Sequence, residues 1–160
     1  MAICPGAEFG PSKRWPAEYY AEIAKFYVNE GWNVLCIGSK NDEDIGMGIG
    51  SLNNLRSNKS FINLIGKTSL QDAIDILAFT EKVVTNDSGL MHIAAAVKTP
   101  LVALYGPSSP EYTPPLISKK KILRKTQGYE KVRYGSNEKG YHQSLLDIKP
   151  EEVLDALEAL

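Results

Sequence analysis

The chain has 160 residues, 43% of them hydrophobic and 23% charged, which suits one soluble domain with a single buried core and argues against wholesale disorder. The formal net charge of −1 gives no electrostatic reason to expect a nucleic-acid or membrane partner; Lys119-Lys120-Lys121 with Arg124 and Lys125 is the one local basic candidate. No apolar run approaches the roughly 20 residues needed to cross a bilayer, so no transmembrane segment is expected, and no signal-peptide pattern is visible.

Met1-Ala2-Ile3-Cys4 runs straight into Pro5-Gly6, as a strand entered partway along would, so the chain is expected to be part of a longer one. Ala2 to Cys4 reads as the first strand. Pro16 to Asn29 reads as a helix, with proline in its first turn, an apolar stripe of Tyr19, Ile23, Phe26 and Tyr27, and Gly31 as its stop. Asn33 to Ile37 is the second strand. Asp42 to about Leu55 is expected to be helical despite Gly46, Gly48 and Gly50. Phe61 to Leu64 is the third strand. Thr68 or Ser69 then caps a helix over Leu70 to Phe79, with Leu70, Ile74 and Leu77 on one face.

Lys82 to Thr85 is the fourth strand, followed by Asn86-Asp87-Ser88-Gly89 and a helix over Leu90 to Val97. Leu101 to Tyr105 is the fifth, closed by Gly106-Pro107, and Lys121 to Arg124 forms a sixth after a Pro-rich loop. Gln127 to Gly140 lacks periodicity and reads as a mobile loop near a domain interface or an acceptor. Pro150-Glu151 opens a last amphipathic helix with Val153, Leu154, Leu157 and Leu160. Cys4 and Cys36, both in strand runs, read as buried hydrophobes in a reducing compartment, with a disulfide across neighbouring strands as the alternative.

Strands alternating with helices describe an α/β fold, a doubly wound parallel sheet. In such sheets ligands bind beyond the carboxyl ends of the strands, where the strand order reverses. The polar, Gly-containing turns follow strands one, two, four and five. In the first, Gly6 and Gly10 let backbone N–H groups approach an anion, and Lys13 and Arg14 add positive charge beside a helix start; the bland alternative is a solvated surface loop. In the second, Asp42, Glu43 and Asp44 compete for the place where such sites set an acid against ribose hydroxyls.

In the turn after the fourth strand, Ser88 Oγ and the Gly89 N–H are natural phosphate donors at the positive end of a helix. Asp87 would be repelled by phosphate, so it is assigned to sugar hydroxyls, a cationic neighbour or the turn itself. His92, about one turn on, faces the same site or is a satisfied core histidine. No Cys or second nearby His completes a metal site.

These residues resemble a known family. Cys4-Pro5-Gly6-Ala7-Glu8-Phe9-Gly10-Pro11-Ser12-Lys13-Arg14-Trp15-Pro16 is similar to the opening motif of the second domain of ADP-heptose:lipopolysaccharide heptosyltransferases, glycosyltransferase family 9. Thr85-Asn86-Asp87-Ser88-Gly89-Leu90-Met91-His92-Ile93-Ala94-Ala95-Ala96 resembles their diphosphate motif. Ala103-Leu104-Tyr105-Gly106-Pro107-Ser108-Ser109-Pro110 and Gly140-Tyr141-His142-Gln143-Ser144-Leu145 resemble the heptosyltransferase II branch.

The resemblance covers essentially the whole chain. It implies that residues 1–160 are one half of a GT-B enzyme: the Rossmann-like C-terminal domain that binds the donor, ADP-L-glycero-D-manno-heptose. An N-terminal domain outside this chain would bind the acceptor, heptose I of the lipopolysaccharide inner core, and carry the catalytic base. The reaction would be an inverting, metal-independent displacement needing no cofactor. Lys13 would neutralise the diphosphate, Ser88 and Gly89 would bind it, and His92 would support that side. Asp87 would hold heptose hydroxyls, Glu43 the ribose, and the backbone near Thr68 the adenine, the last two carried over by spacing alone. The location implied is the bacterial cytoplasm, at the inner face of the inner membrane. A free-standing nucleotide-binding module without transferase activity is the second reading. A sugar-nucleotide epimerase of related fold is the third, disfavoured because the motifs hold no second acid or base.

Overall fold

The computed structural model describes all 160 residues. Six parallel strands, β1 (Ala2–Cys4), β2 (Val34–Cys36), β3 (Phe61–Asn63), β4 (Val83–Asn86), β5 (Leu101–Tyr105) and β6 (Lys120–Arg124), form one sheet in the order β3-β2-β1-β4-β5-β6. The helices are α1 (Ala17–Asn29), α2 (Glu43–Ser51), α3 (Leu70–Ala78), α4 (Gly89–Ala96), α5 (Gln143–Leu146) and α6 (Pro150–Glu158). The strand order reverses between β1 and β4, so the loops leaving these two neighbours diverge and open a crevice at the carboxyl edge.

Alternation of side chains along each strand feeds a separate apolar layer on each face of the sheet. On one face Ile3, Cys36, Val84, Val102 and Leu104 pack with Trp15, Tyr20 and Ile23 near and on α1, and with Val153 and Leu157 on α6. On the other Ala2, Cys4, Val83, Leu101 and Ala103 pack with Ala73 and Leu77 of α3 and Met91, Ala94 and Ala95 of α4. Every residue of β4 and β5 is buried, as expected for parallel strands covered on both sides. Cys4 and Cys36 are buried and free, and they serve opposite layers although Ile3 pairs with Cys36 in the sheet. That geometry leaves no route to the cross-strand disulfide.

Two of the helix readings change in the structure. The segment read as one helix from Asp42 to Leu55 is a short 3-10 turn (Lys40–Asp42), then α2, then a second 3-10 stretch (Leu52–Ser57). Leu52 turns extended (φ −83°, ψ 146°) and ends α2, and Asn53 and Asn54 follow at φ 54° and 57°, a left-handed pair that Asn tolerates and that keeps the helix from resuming. Leu70 is not on the buried stripe of α3 but 67% exposed; Ala73 and Leu77 are the residues that face the core. The reason is its place next to the cap, Ser69, whose side chain accepts a hydrogen bond from the Asp72 N–H.

The basic run lies on the outer strand β6, where Lys120 donates to Pro115 O and Ile117 O and Lys125 pairs with Glu152 at 2.5 Å. Charges there blunt an open sheet edge.

The segment from Gln127 to Gly140 is irregular but tied down across the carboxyl edge. Val132 O accepts from Ser12 Oγ (2.5 Å), Arg133 O from the Ser12 N–H (3.2 Å), and Glu130 N–H donates to Pro107 O (2.9 Å). It straps the loop after β1 to the loop after β5. Gly10 lies beneath it at φ 148°, and a Cβ there would come within 2.7 Å of Arg133 Cγ. A side chain at position 10 would therefore meet both backbone strain and a clash.

Candidate functional site

At the carboxyl edge, the turns after β1, β2, β3 and β4 enclose a cleft of about 350 Å³. Gly6, Ala7 and Glu8 form one wall and Ser88 and Gly89 the facing one; Gly38, Ser39 and Asp42 close it beyond β2, with Thr68 and Ser69 from the β3 side. Ile37, Leu70, Ala73, Leu90 and Ile93 supply an apolar surface. The cleft is thus polar where glycine turns meet and apolar where α3 and α4 flank it, which suits a flat ring carrying a polar, charged tail.

Two ion pairs flank the cleft, each joining a buried carboxylate to a partly exposed cation. Lys13, at the end of the 3-10 turn Pro11–Lys13, brings Nζ to 2.5 Å from Asp87 Oδ2, with the Asp87 side chain only 4% exposed. Arg14 reaches Asp42 Oδ1 at 3.2 Å, while Asp42 Oδ2 accepts from the N–H and hydroxyl of Ser39. Of the three competing acids, Asp42 is the one that lines the cleft, and a Cβ on Gly6 would come within 2.6 Å of its Cγ. Gly6 is therefore required for space. The Asp87 charge also acts on the buried Tyr105 phenol, whose pKa is raised first by burial and then by that carboxylate.

Ser88 is the N-cap residue of α4, yet its hydroxyl makes no capping bond, and Oγ has no hydrogen-bond partner in the protein. A Cβ on Gly89 would meet nothing within 4 Å, so this residue fronts open space at the start of α4. Oriented amides and a positive helix end at that point favour an anion.

Of the candidates, Ser88, Gly89 and Thr68 line this cleft; Asp87, next to Ser88, and its partner Lys13 stand beside it, with Lys13 facing a separate small depression between Phe9, Ser108 and Glu130. It sets the other two candidates apart. Glu43 is exposed at the start of α2 with its side chain against Gly66, outside the lining. His92 is exposed, because the α4 residues facing the cleft are Gly89, Leu90 and Ile93, and position 92 falls beside that face. Sequence reasoning missed the apolar wall. Leu70 was its signal, a large apolar residue in the first turn of a capped helix. No group of three or more His, Cys, Asp or Glu residues could hold a metal ion.

Residues 1–142 match glycosyltransferase family 9 (heptosyltransferase). The chain belongs to that family. Over its whole length it is 51% identical to lipopolysaccharide heptosyltransferase 2 of Salmonella typhimurium, covering 46% of that protein. It is 52% identical to lipooligosaccharide heptosyltransferase 2 of Haemophilus influenzae, again covering 46%. Among solved structures, the E. coli ADP-heptose LPS heptosyltransferase II superposes with a TM-score of 0.89 at 48% identity, over 99% of this chain and 45% of the other. This family 9 chain therefore spans about half the length of the curated relatives it matches. No helix in it is long and apolar enough to cross a membrane.

Proposed function

We propose that residues 1–160 are the donor-binding domain of an inverting heptosyltransferase of the GT-B type. It takes ADP-L-glycero-D-manno-heptose and serves transfer to heptose I of the lipopolysaccharide inner core, held by an N-terminal domain. The observation that carries the reading is that the Gly6-Ala7-Glu8 and Ser88-Gly89 walls face each other across one cleft at the β1/β4 switch point, with Lys13 held beside them on Asp87. The adenine lies against the apolar surface near Thr68 and Leu70, and the diphosphate runs between the Gly6 and Ser88-Gly89 walls.

Cleavage of the anomeric C–O bond leaves growing negative charge on the ADP oxygens. Lys13 and the amides at the start of α4 stabilise that charge more as the bond breaks, which lowers the barrier without metal or cofactor. One preorganised donor of this kind is typically worth about 3 kcal/mol, roughly a hundredfold in rate. Asp87 is committed to Lys13 at 2.5 Å, which leaves it poorly placed to deprotonate an acceptor hydroxyl. The base therefore comes from the other domain, and the isolated chain binds donor without transferring heptose. The enzyme works in the bacterial cytoplasm, against the inner membrane that carries its acceptor.

Thermal unfolding with added ADP tests this. Ligand at about ten times Kd adds about 1.4 kcal/mol, a rise of roughly 3–6 °C for a chain of this size. The shift should persist in EDTA. No shift at millimolar ADP would sink the donor-binding reading, and heptose transfer by this chain alone would sink the assignment of the base elsewhere.

A further inference from the structure

Asn86 is the last residue of β4, fully buried, and lies immediately before the Asp87-Ser88-Gly89 turn. Its side chain touches neither the cleft nor solvent, yet it has four hydrogen-bond partners in other parts of the chain. Nδ2 donates to Pro5 O (2.7 Å) and Gly6 O (3.3 Å), while Oδ1 accepts from the Trp15 N–H (3.0 Å) and the Tyr20 hydroxyl (3.1 Å). The amide cannot be turned over. Two carbonyls can only accept and a backbone N–H can only donate, so the partners fix which end is nitrogen.

Those partners have a shared geometry. Pro5 and Gly6 begin the loop that leaves β1, and Trp15 ends it, so Asn86 grips that loop at both ends from the far side of the switch point. Between the two grips lie Gly6, Ala7 and Glu8 of one cleft wall, and Lys13. One residue beyond Asn86 lies Asp87, the partner of Lys13, and then the facing wall of Ser88 and Gly89.

We infer that Asn86 is a positioning residue for the donor diphosphate, setting the distance between the two anion-binding walls and the reach of Lys13. The inference rests on the donor-binding reading above. It assigns Asn86 no contact with ligand; it acts through the backbone of Pro5 and Gly6 and the N–H of Trp15. A diphosphate bridging both walls senses a change in their spacing, whereas adenosine, which ends before them, does not.

The test is Asn86→Asp, with ADP and adenosine titrated separately into the folded 160-residue chain. Asp keeps the shape and the acceptor for Trp15 and Tyr20 but turns an oxygen toward two carbonyl oxygens. Ionised, it pushes the β1 loop away; protonated, it regains one donor. The expected result near pH 8 is ADP binding weakened about 10–100-fold relative to wild type, the scale of an unsatisfied buried hydrogen bond, with adenosine affinity unchanged. As pH falls toward about 5.5, the ratio of variant to wild-type ADP affinity should recover, because a carboxyl in this buried place takes up a proton easily. A merely structural role predicts a lower melting temperature with no ligand selectivity and no such recovery.

Equal ADP affinity in variant and wild type overturns the inference alone, as does equal weakening of ADP and adenosine. A wild-type chain silent toward ADP overturns the donor reading and this inference with it. If Asn86→Asp does not fold, Asn86→Ser, which keeps a hydroxyl donor, carries the same comparison. Failure of both to fold shows Asn86 holding the fold rather than the cleft, which also overturns it.

Discussion

Replacing Lys13 by Met keeps the length of the side chain, removes its charge and strands the carboxylate of Asp87. That carboxylate is 4% exposed, and its Oδ2 lies 2.5 Å from Lys13 Nζ. At that separation and an effective dielectric of about 20 the attraction is roughly 6–7 kcal/mol, much of it offset by taking both groups out of water. Removing one partner of a fully buried pair costs about 3–5 kcal/mol, because the other charge stays behind unpaired. Lys13 keeps 19% side-chain exposure, so solvent already screens part of this interaction and the cost falls below that range, to about 2–3 kcal/mol. Since 1 kcal/mol moves the midpoint of a chain this long by about 2–4 °C, Lys13→Met should melt roughly 4–12 °C below wild type by circular dichroism.

Asp87→Asn alone should cost less, since Lys13 can turn toward solvent. The double variant Lys13→Met/Asp87→Asn should recover most of the loss, because the stranded charge is gone. The ligand separates stability from function: the double variant, though nearly as stable as wild type, should still bind ADP poorly. A Lys13→Met midpoint within about 1 °C of wild type would refute the argument, since the expected loss is several times larger. So would a double variant no more stable than Lys13→Met.

Gly89→Ala should fold normally and melt no lower than wild type, because its Cβ meets nothing within 4 Å and Ala favours helix over Gly. Calorimetric titration should nevertheless show weaker ADP binding, as the new methyl projects into the cleft; undiminished affinity would place the diphosphate elsewhere. Burial pushes the Cys4 thiol up to about 12 and that of Cys36 well above its usual value, so iodoacetamide should label neither in the native chain near pH 8 and both after denaturation. Mass spectrometry reads the difference, and rapid native labelling would contradict the burial. Hydrogen bonds from the Ser69 side chain and backbone hold Asp72 below its ordinary value, and a bond from Lys125 does the same for Glu152. Both groups therefore contribute stability that is complete above their unfolded values, about 4, and is lost as pH falls through the lower folded ones. The melting temperature should fall below about pH 4, less steeply in Asp72→Asn; a midpoint flat down to about pH 3 would refute this.

How far the sequence carries the fold depends on how local each cause is. The strands were legible because short apolar runs bounded by turn residues have one physical reading between helices, and all six stand within a residue or two of their expected ends. Helix α5, four residues long, completes barely one turn and leaves no periodic trace. The split after α2 turns on Leu52 turning extended and Asn53 and Asn54 entering left-handed conformations, which apolar spacing does not report.

The site divides in the same way. Lys13, Ser88 and Gly89 stood out as a cation, a small hydroxyl and a glycine at strand-to-helix turns, with a solvated loop as the alternative for the first; Ser88 and Gly89 line the cleft and Lys13 stands beside it on Asp87. Choosing Asp42 over Glu43 needed the positions of Arg14 and Ser39 around it, and Asp42 alone of the two is buried. Asn86 was visible as a letter in a motif, but its partners Pro5, Gly6, Trp15 and Tyr20 stand 66 to 81 positions away. Only the fold gives it a role.

The central claim is that this cleft takes the diphosphate of a nucleotide between two loop walls. Amide chemical shifts recorded while ADP is added to the isotopically labelled chain test it most directly. Saturable shifts concentrated at Gly6, Ala7, Ser88 and Gly89, with the Leu70 and Ile93 methyls moving as the base docks, are the predicted result. Millimolar ADP that leaves those amides unmoved, or that shifts a different face of the sheet, would contradict it.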